Sequence, residues 1–152
     1  MRGGIDLGGT KIQAVVVDSR SKVLGDARHP TPQKGGPPAV VEAMAEALEE
    51  AAEKAGLAAR ELSAVGVGSP GAVDSGSGTV ADARNIPEWT EEAYPMAAAL
   101  GELVGSSVRL GNDVSVGVEA EYELGAGKGS ASLLGVFWGT GVGGGIDRKS
   151  VV

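Results

Sequence analysis

The sequence predicts an α/β domain with a mixed sheet and flanking helices. Three observations carry that expectation. Three short β-prone runs precede any helix, later β-prone runs alternate with helical segments, and two apolar strands break at Gly/Thr turns instead of feeding helices.

Gly4–Leu7 reads as a short buried strand and Lys11–Asp18 as a second, rich in valine. Lys22–His29 pairs as a third after a turn at Asp18–Ser21. The proline-rich stretch His29–Pro38 is expected to be loop. Ala39–Ala55 is an amphipathic helix, with Val40, Met44, Leu48 and Ala52 four apart, glutamates on the other face and Gly56 as C-cap. Ala64–Gly68 is a fourth strand, Ala72–Ala83 a Gly/Ser-turned hairpin, and Glu91–Val104 a second helix with Pro95 near its first turn or kinking it. Val108–Leu110 is a short strand, and Asn112-Asp113 opens a helix to about Leu124. Leu133–Trp138 and Val142–Ile146 form a last strand pair around Gly139-Thr140-Gly141. The order is ribonuclease-H-like and not that of a dinucleotide-binding fold.

A chain of 152 residues, 42% hydrophobic, is long enough for one core. The net charge of −7 and the 3% aromatic content argue against a nucleic-acid surface. Apolar runs such as Ala14–Val17 fall far short of the ~20 residues that span a bilayer. Neither a membrane nor a nucleic-acid partner is expected, and a cytoplasmic setting fits best. With no cysteine and one histidine, His29, a self-contained Cys/His zinc site is excluded.

The informative excess is glycine, 26 residues, and it is clustered. Asp6-Leu7-Gly8-Gly9-Thr10-Lys11 resembles a phosphate loop, but such loops open helices. Here the following Ile12–Asp18 is β-branched, so Gly8–Thr10 turns a hairpin. A tip without side chains exposes N–H groups that bind anions, and Thr10 adds a hydroxyl. Asp6, beneath the turn, is placed to hold Mg²⁺ through water. Alone, these glycines read equally well as ordinary hairpin residues. The same grammar recurs at Val136-Phe137-Trp138-Gly139-Thr140-Gly141, and Gly143-Gly144-Gly145 lets backbone approach a ligand. The pair suggests a phosphate gripped from two sides.

Asn112-Asp113 lies between a strand and a helix. Either residue can serve as N-cap. Asp113 can also be the general base that phosphoryl transfer to an alcohol requires, with Asn112 suited to a sugar hydroxyl. Asn85, in Ala83-Arg84-Asn85-Ile86-Pro87-Glu88-Trp89, reads as a turn residue, and Trp89 reads as core. Ser69-Pro70-Gly71 closes a buried strand, where open α/β sheets place ligands.

As a set, Asp6–Lys11, Gly66–Asp74, Asn85 before Trp89, Asn112-Asp113, Gly125–Gly129 and Gly139–Gly145 resemble ROK (repressor, open reading frame, kinase) sugar kinases of the actin-like ATPase superfamily, in order and spacing. The resemblance implies ATP-dependent, Mg²⁺-assisted phosphorylation of a hexose, most often glucose on its 6-hydroxyl. It implies Asp113 as base, with Gly71, Asn85 and Asn112 on the sugar side. The two phosphate segments would be Gly8, Gly9, Thr10 and Lys11, and Gly139, Thr140, Gly141, Gly143 and Gly144. Family members are often homo-oligomers. Gly111 stands where the family usually has Glu. The family's zinc site, adenine pocket and further sugar residues have no counterpart in this chain. By that resemblance residues 1–130 are the N-terminal lobe, 131–146 the first hairpin of a second lobe cut short, and 147–152 a non-native tail. Residues 133–152 are expected to pack least well, with Leu134, Val136 and Phe137 partly exposed, and the chain alone is expected to be an inactive fragment. A sugar-responsive repressor of the same family and a non-catalytic sugar- or phosphate-binding fragment are the alternatives.

Overall fold

The computed structural model describes residues 1–138 and 142–148. Among the described residues the chain runs β1 (Arg2–Leu7), β2 (Lys11–Val17), β3 (Val23–Pro30), α1 (Gly36–Lys54), a 3₁₀ turn (Ala59–Glu61), β4 (Val65–Ser69), β5 (Ala72–Asp74), β6 (Thr79–Ala81), α2 (Met96–Val104), β7 (Val108–Asn112), α3 (Asp113–Glu123), β8 (Ser132–Trp138) and β9 (Val142–Arg148). The central sheet has the order β3-β2-β1-β4-β7. β1, β2 and β3 form an antiparallel meander, and β4 and β7 run parallel to β1. This is the expected mixed, ribonuclease-H-like sheet.

Alternation in β2 buries Ile12, Ala14 and Val16 toward α1. The facing stripe of α1 buries Val40, Val41, Met44, Ala47, Leu48, Ala51 and Ala52. Burial of each large aliphatic side chain stabilises the fold by roughly 1.5–3 kcal/mol. Gly25 on β3 is pressed against the Ala51 carbonyl of α1, where a Cβ has no room. At the same contact His29 Nε2 meets Glu50 Oε2 at 2.8 Å, and Lys54 bonds both Glu50 and the Asp26 carbonyl.

Two helix starts differ from expectation. α1 begins at Gly36 and not at Ala39, because Pro37 and Pro38 occupy its first turn, where a missing N–H costs nothing. The prolines that read as loop are helix starters. α2 begins at Met96 and not at Glu91. Tyr94 exchanges both backbone hydrogen bonds with Val80, at 3.0 and 2.9 Å, extending the β5–β6 hairpin. Pro95 then bars the residue before it from helix and itself becomes the N-cap. β7 continues to Asn112 and β9 to Arg148, two residues past the expected end of each strand.

β8 and β9 form a separate antiparallel ribbon. One face rests on α3: Val118 fills the spaces over Gly135 and Gly145, and Phe137 lies on Gly117. The other face leaves Leu134, Val136, Trp138 and Ile146 exposed, Trp138 at 88%. The expected exposure of Leu134, Val136 and Phe137 is observed. Among the described residues no helix is long and apolar enough to cross a membrane.

Candidate active site

Three parallel strands end side by side. Asp6 of β1 pairs with Gly68 of β4, and Gly68 and Ser69 pair with Gly111 and Asn112 of β7. The carboxyl ends of such strands are where open α/β sheets hold ligands. The start of α3 packs against Gly68 of β4, with Asp113 Cα in van der Waals range, 3.6 Å from the place a Cβ would take. Asp6, Gly68, Asp113 and Phe137 thereby share a cavity of about 410 Å³.

The two carboxylates feel each other. The Asp6 carboxyl is held above the ordinary value of 3.8, first by loss of solvent, then by the charge of Asp113, with Lys11 pulling the other way. One flank of Asp6 remains open to water, so part of this effect is screened. A cation between such groups relieves their repulsion. Among the described residues no three metal-ligating side chains cluster. This donor set suits Mg²⁺, which takes one or two carboxylates and fills its shell with water and phosphate.

Asn112 and Asp113 stand at the start of α3, and the capping expected of them is observed. Asn112 Oδ1 accepts from the N–H groups of Val114 and Ser115 at 3.2 and 3.3 Å, capping α3. Its amide nitrogen has no partner among the described residues. Asp113 Oδ1 accepts from the Val114 N–H at 2.9 Å and its carboxylate remains half-buried at the cavity.

At the other side of β1 the Gly8–Lys11 turn closes through Gly8 N–H to the Lys11 carbonyl at 2.9 Å, and a strand, not a helix, follows. Neither Gly8 nor Gly9 has positive φ, so left-handed backbone does not explain these glycines. At Gly9 the requirement is space, because a Cβ would lie 2.5 Å from the Asn85 carbonyl. Asn85 is thus brought against the turn. The N–H groups of Gly9 and Thr10 have no partner among the described residues. Gly71 has φ of 91° and would place a Cβ 2.5 Å from the Ala81 carbonyl, which draws Ser69–Gly71 up to the start of the Asn85 loop. Trp89 is core as expected: it is buried, its Nε1 donates to the Val80 carbonyl and its ring meets Tyr94 edge-on at 6.0 Å.

Gly139, Thr140 and Gly141 lie outside the described residues. Of the second glycine segment, Gly143 packs beneath Val114 at the start of α3, and Gly144 lies against the Gly135 carbonyl.

The ROK family pattern matches residues 2–149. The chain belongs to the ROK family. It is 39% identical over 143 residues to a glucokinase of Streptomyces coelicolor, covering 94% of this chain and 42% of that protein. It superposes with a TM-score of 0.82 on the ROK hexokinase of Thermus thermophilus, at 40% identity over 95% of this chain and 46% of that one. It superposes equally well, at 0.82 and 36% identity, on a ROK glucokinase of Streptomyces griseus in complex with glucose and AMPPNP, covering 95% and 43%. The fold is accordingly the actin-like ATPase fold, and the chain spans less than half the length of these relatives.

Two residues of this ROK chain escape a reading of motifs. Thr31 is buried beneath the Gly8–Lys11 turn. Its Oγ1 donates to the Gly8 carbonyl at 2.6 Å and its N–H to the Thr10 carbonyl at 3.2 Å. Gln33 Nε2 adds a bond to the Gly9 carbonyl at 3.3 Å. Both lie in the stretch that reads only as proline-rich loop. The pairing of β2 with β3, which puts Lys11 opposite Pro30, is the one signal that could place them there.

Proposed function

We propose that this ROK domain carries the acceptor-activating side of an ATP-dependent hexose kinase, with glucose as the hexose and its 6-hydroxyl as acceptor. The observation that carries the reading is the Asp6–Asp113 pair at one cavity beside the Gly8–Lys11 turn. Asp113 takes the proton of the 6-hydroxyl while that oxygen attacks the γ-phosphorus. The bond to the β–γ bridging oxygen breaks, and ADP leaves. The unpartnered N–H groups of Gly9 and Thr10, with the Thr10 hydroxyl and Lys11, face the phosphates. Gly139, Thr140, Gly141, Gly143 and Gly144 would supply the second phosphate segment. Gly71, Asn85 and Asn112 orient the sugar. Mg²⁺, when bound, neutralises phosphate charge, and Asp6 is the residue that would hold it through water. We further propose that residues 1–152 alone turn over at background, since more than half the length of the relatives has no counterpart among them.

Two measurements test this. Titrating glucose into ¹⁵N-labelled chain should shift the amides of Gly71, Asn85 and Asn112. A spectrum blind to glucose overturns the sugar side. In a coupled assay the chain is expected at background. Turnover there that falls about 10²–10⁴-fold in Asp113→Asn would overturn the inactivity and support the base.

A further inference from the structure

Among the described residues three non-glycine positions have positive φ: Ser21 at 62°, Asp82 at 50° and Glu88 at 61°. Two of the three bracket Asn85. Residues with a Cβ enter this region reluctantly, and they stay there where the surroundings over-determine them. Asp82 is held by its side chain, which pairs with Arg84 at 2.9 Å.

Glu88 is held by a longer reach. Its Oε2 accepts from the Gly35 N–H at 2.8 Å, across 53 residues of sequence. Gly35 is the N-cap of α1 and has no side chain to cap with. Glu88 therefore supplies the carboxylate that the helix start lacks, at the positive end of the helix dipole. A Cβ on Gly36 would lie 3.6 Å from the Glu88 carbonyl, so the approach is close on the backbone side as well. On either side of Glu88 in the loop, Ile86 and Trp89 are buried. At its other end the loop presses the Asn85 carbonyl onto Gly9.

We propose that Glu88 is a positioning residue for the sugar loop. Hooked on the start of α1, its carboxylate holds Asn85 at a fixed spacing from the Gly8–Lys11 turn. The proposal rests on Asn85 facing the sugar, as argued above. Glutamate at φ 61° then has a purpose that glycine, which adopts this backbone freely, could not serve.

Three substitutions separate positioning from mere accommodation of the turn. Glu88→Gly suits the backbone and removes the carboxylate. Glu88→Ala removes the carboxylate and keeps the strain. Glu88→Gln keeps an acceptor oxygen. The amides of Ile86 and Trp89, bonded to the Ala83 and Ile86 carbonyls, should exchange roughly threefold to tenfold faster in the Gly and Ala variants, the size of one surface hydrogen bond. The Gln variant should fall between these and the parent chain, and β1 amides should not change. The dissociation constant for glucose, read from the Asn85 amide shift, should rise by the same factor in the Gly and Ala variants and recover in Gln. A Gly variant that exchanges as slowly as the parent, or a Gln variant as loose as Gly, overturns the proposal. If the parent chain ignores glucose, the sugar role of Asn85 falls, and the exchange series still decides whether Glu88 grips the loop.

Discussion

The five-stranded sheet and the β8–β9 ribbon are built from similar apolar strands but stand on different support. In the sheet, the inward residues of β2 are covered by α1 and the neighbouring strands complete every ladder but those at the edges. The ribbon has two strands, one face on α3, and Leu134 and Trp138 at 66% and 88% exposure on the other. Two-stranded ribbons are marginal in water without a covered face. The difference teaches where the candidate site gets its rigidity. Asp6, Gly71, Asn85, Asn112 and Asp113 all hang from the sheet or from loops tied to it, whereas Gly143 and Gly144 lie in the ribbon.

The largest effect that can break this contrast is a core deletion. Met44→Ala, at a fully buried position on α1, is expected to destabilise the chain by about 2–5 kcal/mol. Trp138→Ala, a larger deletion on the open ribbon face, should stay within about 0.5 kcal/mol. Urea unfolding of both variants decides it. A comparable loss from Trp138→Ala would mean that the ribbon is packed after all.

The contrast was partly legible in the sequence. Spacing of four at Val40, Met44 and Leu48 announced α1, and the valine-rich, β-branched run at Lys11–Asp18 announced its strand, because both signals are local. The exposure of Leu134 and Val136 followed from the family resemblance, which makes β8–β9 a hairpin without the rest of its sheet. The starts of α1 and α2 were missed because proline reads the same whether it begins a helix or interrupts one. Only the Tyr94–Val80 pairing distinguishes the two cases at Pro95, and that contact is not local. For the same reason Asp6, Asn112 and Asp113 were visible as strand-end residues, while Thr31, Gln33 and Glu88 were not. Their work is to bond backbone far away in sequence, and nothing in their own neighbourhood announces it.

A middle-sized effect tests whether the Asn85 loop belongs to the well-supported region. Gly71→Ala must place a methyl 2.5 Å from the Ala81 carbonyl at φ of 91°. Strain of this kind costs on the order of 1–3 kcal/mol. Gly9→Ala meets the Asn85 carbonyl at the same 2.5 Å but at an ordinary φ, so the Asn85 loop can yield and the loss of stability should be smaller. Thermal unfolding of the two variants is expected to rank them in that order. A Gly9→Ala chain less stable than Gly71→Ala would show the Asn85 loop to be as rigid as the sheet.

The smallest effect concerns charge, and its sign separates a site from a core. The folded chain holds the Asp6 proton more tightly than the unfolded chain does, because burial and Asp113 both disfavour the carboxylate. Stability contributed by this group is therefore highest below the unfolded value of 3.8 and declines as pH rises through the raised folded value. The penalty grows as pH rises through the raised folded value. Asp6→Asn removes it, so the variant should be more stable than the parent chain at pH 7 and indistinguishable below about pH 3.8, by denaturant midpoints at the two pH values. Added Asp113→Asn should shrink the gain, since half of the repulsive pair is then already gone. A gain that is the same at both pH values would mean that packing, not charge, separates Asp6 from Asn. The expected outcome places a standing electrostatic cost at the open end of the parallel strands, inside the region that is otherwise best supported, where a bound cation would relieve it.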